Sequence, residues 1–401
     1  MGNCRVFLFS LILLFTNEPV GKFAGVNGGT AFADNSWFIE TVDSTLGISV
    51  CGQYSSLALD SDDNPHISYW AWNGTDGLHY AYNDGMSWNI DLIYETNGTT
   101  VTSIAVDSEN NPHISFVGLD LKLKYAYFDG TWHIEAIDSA INVGLKHSIA
   151  LDSFDKPHIS FVKDSPGDED SLMYAYFDTM WNIQAVDCPS FGGDQSSIAL
   201  DENNNVHISY LGGPSADLKY AFYDGSWHIQ IVDSSGFLVF FICMDLDDIS
   251  YPHISYYDAA NNDLNYAYFD GVWHIRTVDS SGNVGRYNSI ALDNSNNIHI
   301  SYYDNTNYNL KYAFYDGSWH IQTIDSSGYV GLHTSIKTDA NDKPCISYRS
   351  YSTAVEKLKY ARRIALPIPT LSEWGMLILG LLLLAAGTVA VVRRKRAVVK
   401  A

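Results

Sequence analysis

The chain has 401 residues, 46% of them hydrophobic, with 46 acidic against 23 basic side chains and a net charge of −23. That balance argues against nucleic acid or an anionic membrane surface as a partner, since both are met with basic patches; it suits extracellular solubility or cation binding. The cysteines share no spacing of a disulfide framework or zinc knuckle and read as small buried thiols.

In chain order, residues 1–33 read as a secretory signal. Arg5 gives a basic start, Phe7 to Phe15 an apolar core, and Ala31-Phe32-Ala33 a cleavage site of the A-x-A type.

Residues 34–365 are a repeat, with 16 basic and 44 acidic side chains and a net charge of −28. The unit is cleanest from Ser289 to Gly331 and restarts at Ser335, 46 residues on. Four short segments lie inside it: SIALD (Ser289–Asp293), HISYYD (His299–Asp304), LKYAFYD (Leu310–Asp316) and WHIQTID (Trp319–Asp325). The last three alternate with period two and are rich in aromatic and β-branched residues, the pattern of strands. Asp316-Gly317 between the third and fourth predicts a hairpin with a type I′ turn. Four strands in a period of forty-odd residues predict a β-propeller blade.

The His of the PHIS-like segment recurs at His66, His113, His158, His207, His253 and His299, with Cys345 in the seventh slot. Asp stands six residues before it and Ser two after in all seven copies. The Trp that opens the fourth segment also occurs seven times, from Trp37 to Trp319. The phase is informative. Trp37–Asp43 precedes any SIALD segment, and Leu358–Ala361 has no Trp segment after it. A ring joins the two orphans and removes two exposed sheet edges. The expected fold is therefore all-β: a seven-bladed propeller of four-stranded antiparallel blades, closed by the N-terminal strand, plus one C-terminal transmembrane helix. The small residues of SIALD suit the innermost position, and the Trp strand the outermost.

After Ala361 the composition changes. Residues 366–375 are a Pro-marked linker, and residues 376–392 are 17 uncharged residues, near the minimum to span a bilayer. Arg393-Arg394-Lys395-Arg396 follows in the basic tail 393–401 and should stay cytoplasmic, with Trp374 as interfacial anchor. Ile368-Pro369-Thr370-Leu371-Ser372-Glu373-Trp374-Gly375, then an apolar stretch, then an arginine cluster, resembles the IPTL-CTERM sorting signal of bacterial envelope proteins. The resemblance implies export in a Gram-negative-type bacterium and an exosortase-like membrane protease as processing partner. The repeat unit is similar to those of uncharacterised secreted bacterial propellers.

Each repeat with its Asp, His and Ser, such as Asp60, His66 and Ser68, invites a hydrolase triad. His and Ser at i and i+2 of one strand point the same way, and six near-identical copies cannot all be one active site. Hydrogen bonding across the turn between strands one and two is the simpler reading. The Asp-rich turns, such as Asp60-Ser61-Asp62-Asp63-Asn64, lack the Gly and distal Glu of an EF-hand and fit Asx turns. No cofactor is expected, and weak calcium binding at these turns is left open.

Comparison of the seven repeats isolates a variable position twelve before the His: Tyr54, Val101, Lys146, Gln195, Phe241, Tyr287 and His333. Its preceding neighbour includes Arg286. These residues should surround one mouth of the central channel, with Trp70, Lys163, Asp258, Asp304 and Arg349 added by the loop between strands two and three. The expected ligand site is Tyr54, Trp70, Lys146, Asp258, Arg286, Tyr287, Asp304 and His333, with aromatic faces for a sugar and Arg286 for a carboxylate. The sequence favours a membrane-anchored or sorted envelope module, its propeller outside the cytoplasm, binding a glycan or surface protein. A carbohydrate-active hydrolase or lyase, with Asp258 and Asp304 as the nearest carboxylate pair, and a structural envelope protein are the alternatives.

Overall fold

The computed structural model describes residues 36–46, 50–72, 74–96, 98, 100–118, 120–137, 143–163, 170–187, 192–213, 215–234, 239–352 and 355–364. The expected signal peptide, linker, transmembrane helix and basic tail lie outside the described residues. Among the described residues, twenty-eight strands, numbered β1 to β28 in chain order, form seven four-stranded antiparallel sheets. Blade 1 runs β2 (Val50–Leu59), β3 (Pro65–Trp72), β4 (Asp76–Asn83) and β5 (Trp88–Glu95), paired in that order. Blades 2 to 6 repeat the meander over residues 102–136, 143–187, 192–233, 239–279 and 284–325.

Blade 7 closes the ring as its phase requires. Its order is β1 (Trp37–Leu46), β28 (Val355–Arg363), β27 (Pro344–Tyr351), β26 (Tyr329–Thr338). Strand β1 pairs antiparallel with β28 from Trp37 opposite Arg363 to Leu46 opposite Val355, with a bulge between Thr41 and Asp43. The first strand of every blade lines the central channel, and the Trp strand is outermost.

The alternation of the second strand serves two neighbours at once. Each sheet is sandwiched between two others, so both faces are dry, and β3 is buried from Pro65 to Ala71. Ser68 faces forward and is hydrogen-bonded to Thr102 of blade 2 at 2.8 Å; Tyr69 faces back and donates to Asp43 of blade 7 at 2.7 Å. The Trp column closes the same circle. Each indole packs edge-on against a tyrosine of the preceding blade, with centroids 5.2–5.6 Å apart, and the seventh contact, Trp88 with Tyr360, crosses the seam.

The repeated Asp and His form the turn between the first two strands. Asp60 Oδ1 accepts from the backbone N–H of Asp62 (2.9 Å) and Asn64 (2.8 Å), and Oδ2 from Asn64 Nδ2 (3.0 Å). His66 Nε2 lies 3.4 Å from Oδ2, and Tyr80 Oη lies 2.6 Å from His66 Nδ1. Burial pushes the His66 pKa down. A neutral ring facing an acceptor-only carboxylate carries its proton on Nε2 and accepts at Nδ1. The pattern recurs at His113–Asp107 and His299–Asp293, both 3.2 Å. With Ser68 bonded to another blade, Asp60, His66 and Ser68 form no triad.

The expected type I′ turn is corrected. Tyr315 pairs with Trp319, leaving a three-residue loop, and only Gly317 has positive φ, at 113°. Asp316 instead accepts from His320 Nε2 at 2.9 Å, which holds the loop without a left-handed Asp. Cys51 and Cys345 are free and buried, Cys243 is free and half-buried, and Cys188 lies outside the described residues. Burial pushes the Cys345 thiol up to about 12 and Cys51 still higher, so neither is a thiolate near neutrality.

Candidate functional site

The first strands of all seven blades meet around a cavity of about 200 Å³ at one mouth of the channel. Three consecutive residues from nearly every blade line it, starting from the variable position twelve before the His. Tyr54, Val101, Gln195, Phe241, Tyr287 and His333 are all in the wall. Lys146 belongs to the matching strand of blade 3, but its side chain lies outside the described residues.

Four of these residues share an unusual backbone. Tyr54, Phe241, Tyr287 and His333 have φ of 51°, 56°, 53° and 51°. Each lies within a register shift between the first and second strands of its blade, so each is the left-handed residue of a β-bulge. Aromatic residues are costly there, and such bulges re-aim side chains. The rings form a continuous arc with centroids 4.5 Å (Phe241–Tyr287), 4.4 Å (Tyr287–His333) and 4.5 Å (His333–Tyr54) apart. Two residues before Tyr287 and His333 stand Gly285 and Gly331. A Cβ on either would meet the backbone of the preceding blade, Leu264 or Leu310, at 2.7 Å. Glycine there lets the first strand approach closely enough for the bulge to turn inward.

Below the arc the wall is polar and already knitted together. Thr102, His147, Ser196, Asn288 and Thr334 each bond the repeat's serine in the preceding blade, at 2.5–2.9 Å. Ser55 is the longer member of the set, 3.4 Å from Ser347. In blade 5 the slot holds Ile242, and the matching Ser209 hydroxyl is buried without a partner. One residue further on, Ser56, Ser103, Ser197, Ser289 and Ser335 accept from backbone N–H groups of the next blade at 3.1–3.2 Å.

Among the described residues the cavity wall holds no Asp, Glu, Lys or Arg. Burial pushes His147 down to about 4, so it is uncharged. Burial and the nearby Tyr54 raise Tyr287, against Arg286 and Arg349 which lower it, so its hydroxyl stays protonated. Aromatic faces above uncharged donors and acceptors suit a small neutral polyhydroxylated group.

The other expected site residues lie elsewhere. Arg286 stacks on Tyr257, its guanidinium carbon 5.3 Å from the ring centre, and its Nε is buried without a partner. Asp258 and Asp304 each close their own loop. Asp258 accepts from Ala260 N (2.9 Å) and Asn261 Nδ2 (2.8 Å), and Asp304 from Thr306 N (2.9 Å) and Asn307 Nδ2 (2.8 Å). Their acceptor sites are spent on turns, which leaves no open carboxylate pair. Trp70 is buried and donates to Thr96 at 3.3 Å. Arg349 is paired with Glu356 at 2.7 Å. Among the described residues, no group of three or more His, Cys, Asp or Glu is arranged to hold a metal ion. Phe241, which stands in the same column as Tyr54, joins the site; the signal for the arc is the triplet Gly-x-aromatic at Gly52, Gly285 and Gly331.

Residues 367–396 match the family model described as the IPTL-CTERM motif. This motif indicates an exported, sorted protein. No curated protein matches the chain. Among solved structures, the chain resembles the BP39L lectin from Burkholderia pseudomallei, with TM-score 0.59 and 12% identity over 79% of this chain and 98% of that one. It also resembles the Aleuria aurantia lectin, crystallised with Fucα1-6GlcNAc, with TM-score 0.51 and 14% identity over 70% and 98% of the two chains. The SapL1 lectin in complex with α-methyl fucoside gives TM-score 0.50 and 13% identity over 68% and 96%. At these identities the likeness is one of fold.

Proposed function

We propose that the protein is an exported glycan-binding module whose site is the mouth of the propeller channel. The observation that carries this reading is the aromatic arc Phe241–Tyr287–His333–Tyr54 over a hydroxyl-lined cavity of about 200 Å³ whose described wall holds no charged side chain. Stacking faces with uncharged hydrogen-bonding groups beneath are what a neutral sugar ring requires. The lectins that share the fold, two of them named in complex with fucosides or fucosylated sugar, support the same ligand class. The IPTL-CTERM motif supports delivery to the cell envelope, with residues 376–392 as single-pass anchor, the propeller outside and an exosortase-like protease as processing partner.

A glycan array probed with the purified full chain, with added calcium and with chelator, tests the reading. Neutral sugars should bind, and a variant with Tyr54→Ala and Tyr287→Ala should lose that binding. An array on which only proteins or acidic sugars are retained, or a variant that binds as the parent does, overturns it. Binding lost with chelator would assign a role to calcium at the Asp-rich turns.

A further inference from the structure

A second group of tyrosines lies on the same face, outside the channel. Tyr308 sits in the loop between the second and third strands of blade 6, Tyr329 at the start of β26 and Tyr351 at the end of β27. Their ring centroids are 4.3 Å (Tyr308–Tyr329) and 6.0 Å (Tyr329–Tyr351) apart. They are 41%, 46% and 41% exposed, so the cluster forms a surface platform rather than part of a core. The Arg349 guanidinium backs it, 5.4 Å from the Tyr351 ring centre.

The scaffold does not require these rings, and the preceding blade junction shows this. Where Val330 N donates to Tyr308 O at 3.0 Å, the equivalent bond one blade earlier runs from Val284 N to Asn262 O, also 3.0 Å. By that register Tyr308, Tyr329 and Tyr351 correspond to Asn262, Asn283 and Asn305. Asn283 Nδ2 donates to Asn262 Oδ1 at 2.9 Å, and Asn305 N to Asn283 O at 2.9 Å. The same loop geometry is thus met by asparagines. Asn262 and Tyr308 share a left-handed backbone, φ 63° in both, a conformation that asparagine accepts readily and tyrosine does not.

One buried residue separates the platform from the channel mouth. Tyr303 lies between them, its ring centroid 6.2 Å from that of Tyr287. Burial and the neighbouring phenols of Tyr308, Tyr287 and Tyr329 push its hydroxyl up to about 12. Buried Tyr303 thus stands between two separate aromatic groups, the arc and the exposed platform. A single sugar ring in the channel would use only the first of them.

We infer that Tyr308, Tyr329 and Tyr351 form an extended subsite, so that the protein binds a linear oligosaccharide with a terminal unit in the channel and following units along the platform. This inference rests on the channel reading. Stacking on exposed tyrosines suits a flexible chain of neutral rings, since every pyranose presents an apolar face to them.

Calorimetric titration of the full chain with ladders of one to six units of maltose-, cellulose- and chitin-type oligosaccharides provides the test. In at least one ladder the affinity should rise roughly tenfold between one and four units, as one added stacking subsite warrants. The triple variant Tyr308→Asn, Tyr329→Asn and Tyr351→Asn copies the preceding junction and so keeps the fold. It should lose the gain with length and keep monosaccharide affinity. Affinity flat with length, or a gain that survives in the triple variant, overturns the platform alone. Long chains bound equally well by the Tyr54→Ala, Tyr287→Ala variant overturn the channel reading and leave the platform. Absence of binding in every ladder overturns the inference outright.

Discussion

Tyr69 donates its hydroxyl hydrogen to Asp43 across 2.7 Å and thereby ties blade 1 to the N-terminal strand that completes blade 7. The same bond joins Tyr210 to Asp187, Tyr256 to Asp233, Tyr302 to Asp279 and Tyr348 to Asp325, at 2.7–2.8 Å. At three of those junctions a lysine also reaches the carboxylate: Lys219, Lys311 and Lys359. At the seam His79 takes the lysine position and stacks on Tyr69 instead, 5.5 Å between centroids. The seam carboxylate thus lacks the ammonium partner that three other junctions have.

The tyrosine should therefore matter more at the seam than at the junctions where a lysine also holds the carboxylate. Tyr69→Phe is expected to cost about 2 kcal/mol, the value of a hydrogen bond to a charged acceptor. Tyr302→Phe, whose Asp279 keeps Lys311, should cost less. Urea unfolding of both variants gives the comparison, and equal losses would refute it. Deleting residues 36–46 should do far more, because it leaves the edge of β28 unpaired. A truncated chain with unchanged melting temperature would contradict the closure.

Ser209 supplies a prediction in the opposite sense. Its hydroxyl is buried without a partner because Ile242 occupies the slot that is polar in the other blades. Ser68, in the same column, is bonded to Thr102 at 2.8 Å. Ser68→Ala should cost about 1 kcal/mol, and Ser209→Ala should be neutral or stabilising, since it removes an unmet desolvation cost. Denaturant midpoints decide it, and a Ser209→Ala loss as large as that of Ser68→Ala would show a partner that the geometry does not contain.

Stability should fall in acid in two separate windows. Burial lowers His147 and His207 to about 4 in the folded state, while the unfolded residues titrate near 6.5. Below 6.5 the unfolded chain takes up protons that the folded chain refuses, so stability is full above 6.5 and is lost as pH falls toward 4. For Asp60, burial alone would raise the pKa, but the bonds from Asn64, Asp62 and His66 outweigh it and lower it. That contribution is present above 3.8 and is lost below it. Melting temperature against pH should therefore decline from 6.5 downward and decline again below 3.8. In His147→Gln the first decline should be shallower; an unchanged slope would mean that the ring protonates freely.

The seven blades and their closure were legible because identical columns must meet identical neighbours. Asp60, His66 and Ser68 recur because their counterparts make the same turn and interblade bonds in most blades, with Ser209 and Cys345 as the departures. The site was only half legible. Tyr54, Tyr287 and His333 stood out as departures within one column, yet the bulge that aims them depends on left-handed backbone at aromatic residues, which no propensity suggests. Arg286 is adjacent to Tyr287 in sequence but, across the bulge, faces Tyr257 instead of the channel. Asp258 and Asp304 looked like free carboxylates because the Asn three residues on, which binds each of them, reads as loop filler. Tyr308, Tyr329 and Tyr351 were hidden for a different reason: they meet only across the junction of two blades.

The C-terminal motif leads to a topological expectation. With residues 376–392 as an anchor and Arg393 to Arg396 inside, protease added to intact spheroplasts should degrade the propeller and spare the tail. Where the motif has been processed, mass spectrometry of mature protein should show no arginine cluster. A protected propeller would refute this orientation.

The left-handed arc makes binding and stability separable. Tyr287 at φ 53° pays for its ring with backbone strain, about 1 kcal/mol relative to glycine. Its ring is half-buried and touches Phe241, His333 and Tyr303. Tyr287→Ala removes those contacts and keeps the strain; Tyr287→Gly removes both. The glycine variant should therefore be more stable than the alanine variant by about 1 kcal/mol, the reverse of the order expected in a regular strand. Its stability should lie close to that of the parent, because relieved strain offsets lost contacts. Sugar binding should be lost in both. A parent-like affinity in Tyr287→Gly would remove the arc from the site. A glycine variant far less stable than alanine would mean that the ring is held in place for the fold rather than for a ligand.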